Sequence, residues 1–498
     1  MTYRARWNRP FDIRDYGALP GSATDCHDAI EAALADAFAA SSITVGDNAA
    51  VFLPPGEWYT SPIAHPGQVA LVFEPGAVLL PFATNSGAFE GLISLAAPTG
   101  VDTNETWRAR ILGDICMEGR RYESGTWNYH AIDFNYGPDA QHTYGGAGYT
   151  QDPAPVIGDG LISRFEGDGV RLHMTYGTGA MAARVGALRF VSLGGTALWV
   201  DRAPAWITLL NAFNCRRAAH ISGSHVDIPQ VFAGDCGHDG QLYYATTKAH
   251  DGAGVATLGV DYHNFDVGDA IDVSSIGSPF NGSFTISART TSTISYAVVG
   301  SAIATTPAHG KIEGLAGEVP IYVSGSQVRI IGEVQDAGWH AVMLEGALRS
   351  KIEVDVEGAG VDVANSAGVY LRQGPSSSNS RSNRVRLIAD NDTTGGASQF
   401  SHSKMKYGIH VEATDTQCIN NDFEVVVPIE GSHTLPDGGL PYYGAMHKNR
   451  IRGVLQSDGS PVNQTLTPSH VGELCWDFTG KTLYVADDET SADWVVVV

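Results

Sequence analysis

The chain has 498 residues, a formal net charge of −23, 43% hydrophobic and 17% charged residues, and 58 glycines. Such an acidic balance argues against nucleic acid or an anionic membrane as partner, because those surfaces draw lysine and arginine. No apolar run is long enough to cross a bilayer, so membrane insertion is not expected, and abundant glycine with few charges fits a turn-rich β protein.

MTYRARWNRPF lacks the apolar core of a secretory signal, which predicts assembly in a cytoplasm. Phe11, Ile13 and Tyr16 lie in a strand-like stretch ending at Gly17, and Pro20-Gly21 turns the chain. A helix is predicted over Asp25–Phe38, with Thr24 or Asp25 as N-cap. Ile30, Ala33, Leu34, Ala37 and Phe38 share its apolar face. The chain beyond Phe38 is almost wholly β in character, so this helix reads as a lid on the end of a β structure, whose edge needs covering.

FDIRDYGA, then TDCHDAIEAAL, then VFLPPGEWYTSPI at Val51 to Ile63 resemble the N-terminal segment of pectate-lyase-like right-handed β-helix proteins, a superfamily that includes polygalacturonases, epimerases and phage tailspikes. The resemblance implies an all-β, right-handed parallel β-helix with an N-terminal capping helix. It covers about eighty residues and says little about activity.

Strand–turn–strand units at Leu71, Leu92 and Arg108 read as early rungs. Tyr122 to Gln151 is a loop rich in aromatics, among them Trp127, Tyr129 and Tyr144, whose rings could serve as platforms for sugar faces. A loop packed on the solenoid is the alternative. Segments at Leu161, Ala187, Trp206, Ile228, Ile330 and Lys351 then repeat an alternating apolar strand and a turn. Their period of roughly twenty residues is one solenoid coil. Each coil buries its apolar row only by stacking on its neighbours. Six scattered cysteines without a C-x-x-C pair predict reduced, buried thiols.

Residues 254–312 break the repeat. Gly268, Asp269, Ile271, Val273, Phe280 to Gly282, and Phe284 to Ile286 resemble a small β module of phage structural proteins. VGELCWDFTGKTLYVA, from Val471, resembles a C-terminal strand motif of phage tail and fibre proteins, and the four last valines favour burial between subunits. The expected organisation is an arm and capping helix over 1–50, β-helix over 51–253, an inserted β domain over 254–312, β-helix over 313–462 and the C-terminal motif over 463–498. Together these resemblances imply a spike or fibre of a phage or phage-derived particle such as a gene transfer agent. They imply a homotrimer beside other particle proteins, on the particle surface, released by lysis, with a bacterial surface polysaccharide as partner.

Placing Ile330 over Ile352 sets Glu333 above Asp355 and Gln335 above Glu357, about 4.8 Å apart. Alternation sends Glu353, Asp355 and Glu357 outward. Asp390 is expected near Glu357, Glu424 in the Glu333–Asp355 column, and Arg329, Lys351 and Arg386 in a basic series beside them. A carboxylate pair about 5 Å apart suits a retaining glycosidase and a wider one suits inversion. A solvated strand face has the same pattern. In GDCGHDG, Asp235 and Asp239 imitate fragments of polygalacturonase motifs, although the ordered motif series is missing and turn chemistry also explains the segment. Trp339 and His340, at a rung turn, could line the carboxylate groove or simply pack there. Nothing spaces like a twelve-residue calcium loop, and neither metal nor cofactor is implied. Two functions remain: attachment to capsule or O-antigen without cleavage, or a depolymerase, hydrolase or lyase, using Glu333, Asp355 and Glu357. A polysaccharide lyase or epimerase outside any particle is the third reading.

Overall fold

The structure is a computed structural model. It describes residues 9–21, 23–41, 49–67, 69–95, 109–121, 123, 127–135, 155–173, 182–237, 240–260, 265, 267–290, 292–308, 310–360, 366–374, 379–390, 405–412, 418–426, 440–444, 450–452, 454–457, 474–477, 482–486 and 494–496. The chain divides into two compact units, Met1–Glu318 and Val319–Val498.

In the first unit Arg9–Asp12 pairs in parallel with Ala49–Leu53, Phe11 opposite Val51. The ladder continues through Ala70–Phe73, Arg110–Gly113, Val156–Ile157, Ala183–Val191, Ala205–Phe213 and Val226–Gly234. Gly56–Thr60, Ala77–Pro81, Ile115–Glu118 and Gly160–Ser163 form a second row that merges into Ala183–Val191. A separate parallel sheet stacks Ile63–His65, Asn85–Leu95, Trp127–Asn135, Val170–His173, Thr196–Asp201 and Arg217–Ile221. Every pair is parallel and each coil contributes to both sheets, so the expected all-β parallel solenoid, a β-helix, is the fold. One corner of successive coils is turned by Arg164, Ser192, Asn214 and Asp235, all left-handed (φ 56°, 57°, 51° and 48°).

The helix spans His27–Ala40 and buries Ile30, Ala33, Leu34 and Ala37 against the first strands. Cys26 holds the N-cap position and makes no side-chain cap bond. Asp25, expected to cap, stands one residue earlier and does a different job. Its Oδ1 accepts from the N–H groups of His27 (2.9 Å) and Ser61 (3.0 Å), and Ser61 Oγ donates to Oδ2 (2.6 Å). One carboxylate thus joins the start of the helix to the end of strand Gly56–Thr60. Among the described residues no helix is long and apolar enough to cross a membrane. Cys26, Cys116, Cys215, Cys236 and Cys418 are free thiols.

Seven antiparallel strands, Gly240–His250, Val255–Val260, Ala270–Ser274, Gly282–Arg289, Thr293–Ala297, Ile303–Pro307 and Lys311–Gly317, make one sheet. It takes in residues on both sides of 254–312, because Gly240–His250 pairs with Val255–Val260, Ile303–Pro307 and Lys311–Gly317. Its core of Tyr243, Leu258, Phe265, Phe280, Ile294, Tyr296 and Ile312 also contains Trp199 of the parallel wall. A large buried apolar side chain contributes roughly 1.5–3 kcal/mol, so the insert is docked by hydrophobic burial. Beside Trp199 the buried Arg217 Nη2 lies 2.7 Å from Glu318 Oε2 and donates to Tyr243 Oη (2.8 Å).

The second unit repeats the plan. Arg329–Ala337, Lys351–Ala359, Arg384–Asp390, Asp422–Val426 and Arg450–Arg452 form one parallel sheet. Ile321–Val323, Val342–Glu345, Ser366–Arg372, Met405–Val411 and Leu440–Gly444 form the other. Gln327, Arg349, Ser382 and Asn420 turn a corner in left-handed conformation. Buried amides tie that corner together: Ser350 N donates to Asn383 Oδ1 (2.9 Å), and Asn383 N to Asn421 Oδ1 (3.0 Å). Val454–Ser457, Leu474–Asp477, Thr482–Ala486 and Trp494–Val496 make a small final sheet.

Candidate functional site

Strands Arg329–Ala337 and Lys351–Ala359 pair with Glu333 opposite Asp355 and Gln335 opposite Glu357, the register expected from the repeat. Ile352, Val354 and Val356 are buried, and Glu353, Asp355 and Glu357 between them are half-exposed. Two stacked strands therefore present a row of oxygens and one amide. Gln335 Nε2 donates to Glu333 Oε1 and to Glu357 Oε2, the latter at 2.6 Å. Burial, then the Glu357 charge, pushes the Glu333 carboxyl above its ordinary value; Gln335 opposes this and Asp355 adds to it. Chemically, the row accepts hydrogen bonds from hydroxyl groups and contains one carboxyl biased toward its protonated form.

Asp390 stands in register with Glu357. Glu424 does not join the Glu333–Asp355 column. It is in register with Arg386, which is in register with Glu353, and its carboxylate meets Arg386 at 3.2 Å. Arg384, not Arg386, continues the series of Arg329 and Lys351. The expected placement slips by two residues. A slip of two keeps every apolar side chain inward, so alternation alone does not distinguish the registers. Glu353 is paired to Lys351 at 2.9 Å. This flank is a solvated charge ladder.

The other predicted positions separate from that row. Asp235 is the left-handed turn residue of its coil (φ 48°), equivalent to Asn214 and Ser192, and backbone geometry accounts for it. Trp127 and Tyr129 are buried and are not sugar platforms. Trp127 lies under the Arg120 guanidinium, 4.3 Å from the ring centroid, and Tyr129 Oη donates to Ala83 O (3.0 Å). His340 is also buried, and its Nδ1 accepts from Ala367 N (2.9 Å). Its ring is stacked between Trp339 and Tyr370, each at 4.5 Å. Burial, with His410 and Arg372, holds His340 well below the ordinary histidine value, as befits a neutral wall residue. Trp339 is half-buried against Tyr322 and Met343. Tyr144 and Asp239 lie outside the described residues. Among the described residues, no three His, Cys, Asp or Glu side chains converge to hold a metal ion.

The structure also gathers side chains that no repeat or motif marked. Asp133 is in register with Arg171, and Arg171 with Trp199. Arg171 bridges Asp133 Oδ2 (3.4 Å), Asp168 Oδ2 (3.5 Å) and His130 Nε2 (3.2 Å). Aligning Phe134, Leu172 and Val200 as one apolar column would have found them, because it brings together charges about one coil apart.

Burial pushes the buried Asp168 carboxyl up to about 6, with Arg171 opposing. Its stabilising contribution is complete below about 3.8, the ordinary value, and is lost as pH rises through about 6. Asp168→Asn removes this titration and keeps an acceptor for the Thr196 N–H, now bound at 2.6 Å. The variant should therefore gain on wild type by about 2–3 kcal/mol between about pH 4 and pH 7. Denaturant unfolding at the two pH values checks this, and a constant difference would refute it.

No family model matches the chain, and no curated protein matches it. Solved structures similar to it include the A-module of a mannuronan C-5 epimerase of Azotobacter vinelandii, 13% identical over 90% of this chain and 100% of that one, with TM-score 0.46. ORF18 of Geobacillus virus E2 is 8% identical over 98% of this chain and 75% of that one, with TM-score 0.43. A family 28 exopolygalacturonase of Yersinia enterocolitica is 10% identical over 89% and 78%, with TM-score 0.36. At TM-scores below 0.5 these likenesses carry no weight for activity.

Proposed function

We propose that this chain recognises a bacterial surface polysaccharide, capsule or O-antigen, as the spike or fibre of a phage or phage-derived particle. The observation that carries the polysaccharide half is the row Glu333, Gln335, Asp355 and Glu357 on two stacked strands. Sugar hydroxyls are donors, and this row offers them acceptors at the rung spacing of about 4.8 Å. The particle half is supported by the resemblances of the inserted module and of the C-terminal motif. A homotrimer is part of the reading: Val495, in the last strand, is 48% exposed on the single chain. Its place is the particle surface, reached after assembly in a bacterial cytoplasm and release by lysis.

Cleavage is the second reading, favoured by the raised Glu333 carboxyl. The Gln335 amide bonds both Glu333 and Glu357, so a sugar between those two would have to displace it. In this reading Glu333 is the acid and Asp355, its neighbour across the strands, the nucleophile or base. Purified capsular polysaccharide from a susceptible host, sized by chromatography after incubation, separates the readings. Attachment alone predicts bound, full-length chains, with affinity lowered about tenfold in Glu333→Gln or Glu357→Gln. Shortened chains with wild type but not with Glu333→Gln or Asp355→Asn would make it a depolymerase. Absence of binding to any host polysaccharide would sink both.

A further inference from the structure

At one corner of the first unit, the residue that follows each left-handed turn residue is buried. The turn residues are Arg164, Ser192, Asn214 and Asp235, and Phe165, Leu193, Cys215 and Cys236 follow them. The ladder advances one coil per step here. Gly194 N donates to Phe165 O (2.8 Å), Arg216 N to Leu193 O (3.1 Å) and Gly237 N to Cys215 O (3.2 Å). The buried column therefore changes from Phe165 and Leu193 to two cysteines in the last two coils before the insert. The same corner is tied to the insert. Arg216 Nη2 donates to Glu313 Oε1 (3.1 Å) of strand Lys311–Gly317, and Glu318 N donates to Gly237 O (2.7 Å).

The two thiols are placed alike, one coil apart. Cys215 Sγ donates to Phe213 O (3.4 Å) and Cys236 Sγ to Gly234 O (3.3 Å), and Phe213 and Gly234 are register partners. Cys236 Sγ also lies 3.6 Å from Ala212 O, in the coil of Cys215, so it leans toward that coil. There it hydrogen-bonds with the Cys215 thiol. Adjacent coils stand about 4.8 Å apart, inside the Cα separation of about 4.4–6.8 Å that a disulfide spans. A buried thiol also packs as a small apolar group, but packing alone does not require two of them in contact. Cys116, which is half-exposed, stands opposite Leu161 instead.

We propose that Cys215 and Cys236 are a cross-linking site, which a low-molecular-weight disulfide converts to an inter-coil disulfide that fastens the root of the insert. One protein thiolate attacks a sulfur of the small disulfide, forming a mixed disulfide and releasing one small thiol. The second protein thiolate attacks the bonded protein sulfur and releases the other small thiol. Two protein thiols are oxidised and one small disulfide is reduced to two thiols, which carry away the two protons. Both sulfurs are buried, and burial pushes the Cys236 thiol well up, so the exchange passes through transient opening of the corner and is slow. Such a pair stays reduced in a cytoplasm and closes in an oxidising medium outside it. That timing rests on the particle reading above, whereas the bond itself does not.

The test is incubation of the full chain with cystamine, a small disulfide, followed by alkylation in denaturant, tryptic digestion and mass spectrometry. The peptide of Cys215 should be joined to that of Cys236, while Cys116 carries half of the cystamine. Hydrogen exchange in strands Ala205–Phe213 and Val226–Gly234 should slow at least about tenfold in the cross-linked protein and return to its first rate with dithiothreitol. Wild type is thus its own control. Cys215→Ala should show neither the link nor the slowing, and Cys116→Ser should show both. Cys215 and Cys236 still free after Cys116 has reacted to completion, a link from either to another cysteine, or a link without slower exchange overturns the proposal. If a host polysaccharide binds the chain while no link forms, the cross-link fails and the polysaccharide reading stands. If the link forms while no polysaccharide binds, the reverse holds.

Discussion

Replacing Glu318 by alanine is expected to destabilise the first unit by about 3–5 kcal/mol. Glu318 lies just beyond the last strand of the insert, and its N–H donates to Gly237 O at 2.7 Å. Its carboxylate meets Arg217, and both side chains are at most 2% exposed. Arg217 also donates to Tyr243 Oη, at 2.8 Å, and contacts His220 Nδ1, at 2.5 Å. Removing the carboxylate leaves a cation in a low-dielectric interior without the counter-charge it is packed against. Arg217→Met with Glu318→Leu removes both charges and should lie within about 1 kcal/mol of wild type. Thermal and denaturant unfolding of the three proteins checks the cycle. A mild single variant, or a double variant as damaged as the single, would show that the pair is not the latch of the insert. Hydrogen exchange should locate the loss in strands Gly240–His250, which carries Tyr243, and Lys311–Gly317, which leads into Glu318.

Gly113→Ala is expected to destabilise the early coils by about 3 kcal/mol or more, the sum of two costs. Gly113 ends strand Arg110–Gly113 at φ +95°, and a Cβ there would stand 2.0 Å from Phe73 O of the adjacent rung. One cost is a left-handed conformation for a residue with a Cβ, about 1–2 kcal/mol, and the other is overpacking, about 1–3 kcal/mol. Backbone, unlike the tip of a long side chain, has no rotamer by which to yield, so the ladder must open. Gly17→Ala is the control. Gly17 has φ +93° and nothing within 4 Å of its added Cβ, so only the conformational cost of about 1 kcal/mol applies. Equal shifts in denaturation midpoint for the two variants would remove steric crowding from the explanation.

Much of the fold was legible because a solenoid is local. Each coil repeats one apolar alternation, and the stacking of Ile330 on Ile352 comes from matching those rows. That match placed Glu333 beside Asp355 and Gln335 beside Glu357. The same alternation failed at Glu424, since it repeats every two residues and tolerates a slip of two. Asp25 shows a related limit. Its residue type marked the start of the helix, but its bond to Ser61, 36 positions away, involves a partner that helix propensity does not contain.

By itself the sequence determined an all-β coil repeat, an amphipathic helix on its first strands, and outward carboxylates at Glu333, Asp355 and Glu357. Those features are periodic or adjacent, and periodicity survives in one dimension. Only the tertiary structure decided that Trp127, Tyr129 and His340 face packed interiors, since an aromatic residue reads alike on a core face and on a binding face. It alone brought Tyr244 of the insert against His130 and Arg171 of the wall, and Glu318 against Arg217. Those meetings depend on how an antiparallel sheet docks on a parallel one through Trp199. That docking is set by shape and burial between distant segments, and no spacing along the chain records it.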